Sequence, residues 1–146
     1  MNIKVKLGID KIMHTKAIMP TRAHEFDAGF DLYTPYAIDI LPHQSVVIDT
    51  GVHMQIPDNY VGFLKSKSGL NIKYGITSEG VIDAGYTGSI VVKIYNNSDI
   101  LYEFNAGDKI TQIVILPVQT PFCDLIEVDS LEETSRGENG FGSSGR

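Results

Sequence analysis

The chain has 146 residues, 42% hydrophobic and 21% charged, the balance of one globular domain and not of a disordered chain. Its formal net charge is −6, with 12 Lys+Arg against 18 Asp+Glu. That argues against a broad duplex nucleic-acid footprint and leaves any anionic ligand to locally concentrated cations. Cys123 is the single cysteine, so no intramolecular disulfide forms and a reducing intracellular compartment such as the cytoplasm is expected.

Met1 to Lys11 alternates charged and apolar residues, so it does not read as a signal peptide. No apolar run approaches the ~20 residues of a membrane span. The predicted elements then run in chain order. Tyr36 to Leu41 is an apolar run ended by Pro42, and Val46-Val47-Ile48 is a second, ended near Gly51. Tyr60 to Leu64 follows the turn segment Pro57-Asp58-Asn59. One short helix fits Leu70 to Tyr74, before Gly75. Ile90 to Tyr95 precedes Asn96-Asn97, a hairpin-type signal. Ile110 to Leu116 is the most apolar run, and Pro117 closes it. Short runs rich in Val, Ile and Tyr favour a pleated, half-buried surface. Many such strands with Gly and Pro between them indicate an all-β sandwich, jelly roll or barrel.

Residues 1–133 read as the β domain and residues 134–146 as an arm. The arm carries four Gly in 13 residues and one large apolar side chain, Phe141. It cannot bury enough surface to order itself. It is either a disordered terminus or a segment that orders on a ligand or a neighbouring subunit, and Arg136 with Phe141 gives it groups a pure linker does not need.

Five short segments carry chemistry. Gly140-Phe141-Gly142-Ser143-Ser144-Gly145 matches G-x-G-x-x-G, but no helix or βαβ unit surrounds it, so a dinucleotide fold is excluded. Its glycines and Ser hydroxyls still suit an anion nest beside Arg136. Lys65-Ser66-Lys67-Ser68-Gly69-Leu70 is either a solvated basic loop or a phosphate loop. Gly80-Val81-Ile82-Asp83-Ala84-Gly85-Tyr86 holds Asp83 either as a turn residue or as a general base. Asp31, in Ala28-Gly29-Phe30-Asp31-Leu32-Tyr33, starts or punctuates a strand. Gly107-Asp108-Lys109 is a turn entering the strand of Gln112, which faces outward or holds a ligand. His14, His24, His43 and His53 match no metal template.

In their order and spacing the five segments resemble the five motifs of the homotrimeric dUTP pyrophosphatases (dUTPases), over about residues 15 to 146. Gly80 to Gly88 keeps I-D-x-x-Y-x-G, and Arg136 to Gly145 is close to R-G-x-x-G-F-G-S-[TS]-G. The resemblance implies a jelly-roll-like β fold, a ring of three subunits sharing sites, and Mg²⁺-assisted hydrolysis of dUTP to dUMP and pyrophosphate. That reaction keeps uracil out of DNA and supplies dUMP for dTMP synthesis. It implies Asp83 as the base for a water attacking the α-phosphorus, and Tyr86 against the deoxyribose. Backbone around Gly80, Val81 and Ile82, and across a hairpin at Val91, would read uracil. Lys67, Ser68, Gly69 and Gln112 would hold phosphates. Arg136, Gly142, Ser143 and Ser144 would hold the γ-phosphate, with Phe141 over the base. Asp31 would reach Mg²⁺ only through water, since that ion keeps several waters and sits mainly on substrate phosphates. The family motif Pro-Arg-Ser-Gly is Ser66-Lys67-Ser68-Gly69 here, so Lys67 keeps the charge without the planar fork of Arg. A related-fold dCTP deaminase and a non-catalytic nucleotide-binding member are the competing expectations.

Overall fold

A computed structural model describes residues 1–141, 144 and 145. Seven strands form one sheet in the order β1-β4-β7-β6-β5-β9-β2, and β3 and β8 form a second, two-stranded sheet. The strands are β1 (Lys4–Leu7), β2 (Gly29–Tyr33), β3 (Ile38–Ile40), β4 (Ser45–Gln55), β5 (Tyr60–Lys65), β6 (Ile76–Asp83), β7 (Ser89–Asn96), β8 (Tyr102–Phe104) and β9 (Lys109–Pro117). One helix, α1 (Ser68–Tyr74), sits between β5 and β6. All strand pairs are antiparallel, and the expected β architecture with a single short helix is what the chain adopts.

Period-two patterning builds the core. In β7 the side chains of Ile90, Val92 and Ile94 are buried while those of Val91, Lys93 and Tyr95 are exposed, as alternate residues of a strand must point to opposite faces. These residues meet Leu32, Ile40, Ile48, Leu64, Phe104 and Ile113, so one cluster joins both sheets. Each fully buried aliphatic side chain contributes about 1.5–3 kcal/mol of transfer free energy. The helix buries none of its residues. It stops where Gly75 takes a left-handed φ of 67° and donates its N–H to Asn71 O at 2.9 Å, a conformation that suits glycine.

Three details differ from the expected pattern. The Val46 to Ile48 run belongs to an 11-residue strand that continues through Gly51. A bulge between Asp49 and His53 makes this possible, with Gly51 at φ 67°. The helix begins at Ser68, two residues before the expected start. The Asn96-Asn97 signal does not make a hairpin. β7 pairs with β4 and β6, and β8 pairs with β3. Asn96 is buried instead, and its amide donates to Ile40 O at 2.9 Å and Ile100 O at 2.7 Å.

Candidate active site

The cationic end of the candidate site is built where β2, β9 and β5 align. Their register sets Asp31 opposite Gln112 and Gln112 opposite Lys65. The loop that follows, Ser66-Lys67, enters α1 with no side chain capping its first N–H groups, and such orphan donors suit an anion. Lys67 Nζ pairs with Asp31 Oδ1, and Lys109 Nζ lies 2.8 Å from Asp31 Oδ2. Burial opposes charge on Asp31, but hydrogen bonds and Coulombic attraction from Lys109 and Lys67 outweigh it and hold its carboxyl below the ordinary value. Asp31 thus joins three of the five segments.

The loop is fixed by side-chain hydrogen bonds, two of whose partners, Ser78 and Thr111, carry no sequence signal of their own. Ser66 Oγ donates to Ser78 O at 3.0 Å and accepts from Ser78 N–H at 2.9 Å. Thr111 Oγ1 donates to Lys65 O at 3.0 Å and bonds Ser78 Oγ at 2.7 Å. Gln112 Nε2 donates to Ser66 O at 3.2 Å. Gly29 leaves the space that the Gln112 side chain occupies. Lys109 has no sequence signal beyond that of a turn entering a strand.

The second part of the site is the far end of β6. Pairing between β6 and β7 stops at Ser78 opposite Ile94. From Glu79 to Asp83, β6 pairs with β5 alone, and from Ser89 to Val92, β7 pairs with β4. The hairpin therefore splays, and the edges of Gly80, Val81 and Ile82 and of Val91 that face each other carry no ladder bonds. An opening with unpaired backbone donors and acceptors can read the edge of a planar base. Val81 and Val91 are exposed at it. Asp83 ends β6 exposed, and its main-chain oxygen accepts the Tyr86 N–H at 3.2 Å. No ion pair among the described residues uses the Asp83 carboxylate. Tyr86 is half-exposed, and its hydroxyl donates to Ser89 O at 2.9 Å.

One chain does not bring these parts together. Asp83 lies opposite Val61, whereas Lys65 lies opposite Gln112. Val61 and Lys65 are four positions apart on β5, roughly 13 Å along a strand. The arm joins neither part. Arg136 Nε donates to Asn139 O at 3.2 Å, within the arm itself, and Phe141 is fully exposed. Ser144 is exposed, and Gly142 and Ser143 lie outside the described residues. Among the described residues no three His, Cys, Asp or Glu side chains converge as a metal-binding group. A groove of about 600 Å³ lined by Ile3, Val5, Met19, Phe30, Met54 and Ile115 is also apart from both halves of the site. Among the described residues no helix is long and apolar enough to cross a membrane.

Known proteins resemble the chain over nearly its whole length. The dUTPase family model covers residues 15–145. The deoxyuridine 5'-triphosphate nucleotidohydrolase of Clostridium novyi is 41% identical, covering 97% of this chain and 99% of its own. That of Picosynechococcus is 40% identical, covering 91% of this chain and 94% of its own. Among solved structures, a Staphylococcus bacteriophage 80alpha dUTPase variant with dUpNHpp is similar at a TM-score of 0.85 and 34% identity, covering 99% of each chain. A phage phi11 dUTPase variant, described with a structural Mg(II) ion, gives a TM-score of 0.78 at 31% identity, over 91% of this chain and 100% of its own. The chain belongs to the dUTPase family.

Proposed function

We propose that the chain hydrolyses dUTP to dUMP and pyrophosphate at sites shared between three subunits. The observation that carries this reading is the splayed β6–β7 hairpin with the Asp83 carboxylate, in no ion pair among the described residues, at its mouth. Uracil enters the opening, where backbone groups of Gly80, Val81, Ile82 and Val91 pair with its edge, and the narrow slot excludes a 5-methyl group. Tyr86 lies against the sugar and leaves no room for a 2′-hydroxyl. Lys67, the N–H groups at Ser68 and Gly69, and Gln112 hold the phosphates. Arg136, Gly142, Ser143 and Ser144 hold the γ-phosphate, and Phe141 covers the base.

Asp83 orients a water and accepts its proton as the oxygen attacks the α-phosphorus. The bond from the α-phosphorus to its bridging oxygen breaks, and pyrophosphate leaves. Magnesium would be held chiefly by substrate phosphates and water, with the ionised Asp31 reaching it through a water. Bound magnesium neutralises phosphate charge.

The separation of Asp83 from Lys67 and Gln112 supports a shared site, because another copy must bring the complementary half. So does the stretch after β9, where Leu125 is 99% and Leu131 87% exposed. Residues 134–146 act as the arm of a domain formed by residues 1–133, and they close over a site on a neighbour. One exposed cysteine, Cys123, suits a reducing intracellular compartment. The test is incubation with dUTP or dCTP and Mg²⁺. Pyrophosphate from dUTP supports the reading. Ammonia from dCTP would mean a deaminase, and neither product a non-catalytic binder.

A further inference from the structure

The segment that carries Tyr86 is tied to the β4 bulge at three points. His53 Nδ1–H donates to Thr87 O at 2.8 Å. Thr50 Oγ1 donates to Ile90 O at 2.7 Å. Between them, the Ser89 hydroxyl donates to Asp49 Oδ1. Ser89 then accepts the Tyr86 hydroxyl on its main-chain oxygen at 2.9 Å. The ring is confined from the other side by Gly88, where a Cβ would lie 2.5 Å from Tyr86 Cζ.

Asp49 is itself immobilised. It is buried at 3% exposure and accepts N–H bonds from Lys11 at 2.9 Å and from Gly51 at 3.0 Å. Gly51 O in turn accepts the Gly8 N–H at 2.9 Å. Burial opposes charge on Asp49, but the bonds from Ser89, Lys11 and Gly51 outweigh it and hold the carboxyl below its ordinary value. The β4–β7 ladder is interrupted between Asp49 and His53, so the buried carboxylate, satisfied by three donors, ties the strands where ladder bonds are missing. Its one side-chain donor is the residue that anchors Tyr86.

We propose that Asp49 and Ser89 are positioning residues that fix the Tyr86 ring and thereby set discrimination between deoxyribose and ribose triphosphates. The proposal rests on the reading of Tyr86 as the surface that meets the sugar. A loosened ring retreats from a 2′-hydroxyl, so the competitor gains while the correct substrate loses contact.

The test measures kcat and KM for dUTP and UTP with wild type, Ser89→Ala, Tyr86→Phe and the double variant. Ser89→Ala keeps the main-chain acceptor and removes only the link to Asp49. It should lower the dUTP-to-UTP ratio of kcat/KM about tenfold, the weight of one positioning hydrogen bond. Tyr86→Phe should do the same. The double variant should also fall about tenfold and not a hundredfold, because both changes cut one chain of contacts. Ser89→Thr, which keeps the hydroxyl, should restore the ratio. An unchanged ratio in folded Ser89→Ala, or a hundredfold loss in the double variant, overturns the proposal. If Ser89→Ala does not fold, Asp49→Asn decides. It sets an amide against the Lys11 N–H, and an unchanged ratio there also overturns the proposal. Wild type that leaves dUTP intact would refute the hydrolase reading itself, whereas normal dUTP turnover with an unmoved variant ratio refutes this inference alone.

Discussion

At the residue scale, Asp31 explains how the loop tolerates Lys67 in place of the family arginine. A guanidinium fork grips planar anions through two parallel bonds, and an ammonium is a point charge. Here the carboxylate of Asp31 accepts one ammonium on each oxygen, from Lys67 and Lys109. Placement that a fork would supply by shape is supplied by a shared counter-charge. Lys67→Ala should weaken a non-hydrolysable dUTP analogue about tenfold, the loss of one partly solvated charge-assisted contact. Lys67→Arg should bind at least as well as wild type. Isothermal titration with both variants checks this, and normal affinity in Lys67→Ala would make the side chain a surface residue only.

At the element scale, the turn of residues 10–15 is organised by Asp10. Its buried carboxylate accepts the N–H groups of Ile12 at 2.9 Å, Met13 at 2.6 Å and Thr15 at 2.6 Å, and the Thr15 hydroxyl at 2.5 Å. Burial opposes its charge, yet the bonds from Thr15, Met13 and Ile12 together lower the pKa below the ordinary 3.8. A lowered carboxylate pKa stabilises the fold above its unfolded value, and the gain is lost as pH falls through the folded value. Asp31 and Asp49 act in the same sense. Asp10→Asn should therefore cost about 1–2 kcal/mol at pH 7, and the gap to wild type should narrow on acidification below the ordinary value of 3.8. Thermal melts over a pH series measure that gap, and a constant gap would contradict the assignment.

The same elements set the limits of reading the sequence. β5, β7 and β9 were legible because an apolar or alternating run ends at a turn residue or proline. β6 was hidden, since Ser78, Glu79 and Gly80 break its pattern. The pairing of β3 with β8 was hidden too, because Asn96 has the composition of a turn and the environment of a core residue. The five motif segments could be recognised as contiguous stretches. The hydroxyl bonds of Ser66, Ser78 and Thr111, and the link from Asp49 to Ser89, join residues 12 to 46 positions apart. No local signal marks such contacts, which arise only once strand register is set.

At the scale of the whole molecule, apolar side chains on a segment without a core need another surface to cover them. Head-to-tail contacts that close make a ring. Deleting residues 135–146 should leave the subunit fold and a three-subunit mass by light scattering, and should greatly reduce hydrolysis. Mixing the deleted protein with Asp83→Asn, followed by subunit exchange, should return activity as some sites regain both an arm and an Asp83. A monomer, or no recovery after proven exchange, would contradict shared sites.

In the proposed reaction Asp83 directs water to the α-phosphorus of dUTP. The most direct measurement runs the reaction with Mg²⁺ in ¹⁸O-labelled water and locates the label by mass spectrometry, for wild type and Asp83→Asn. Label is expected in dUMP and not in pyrophosphate, with the rate of Asp83→Asn lower by about 10²–10⁴ while a non-hydrolysable analogue still binds. Label in pyrophosphate, or turnover by Asp83→Asn near the wild-type rate, would contradict this mechanism.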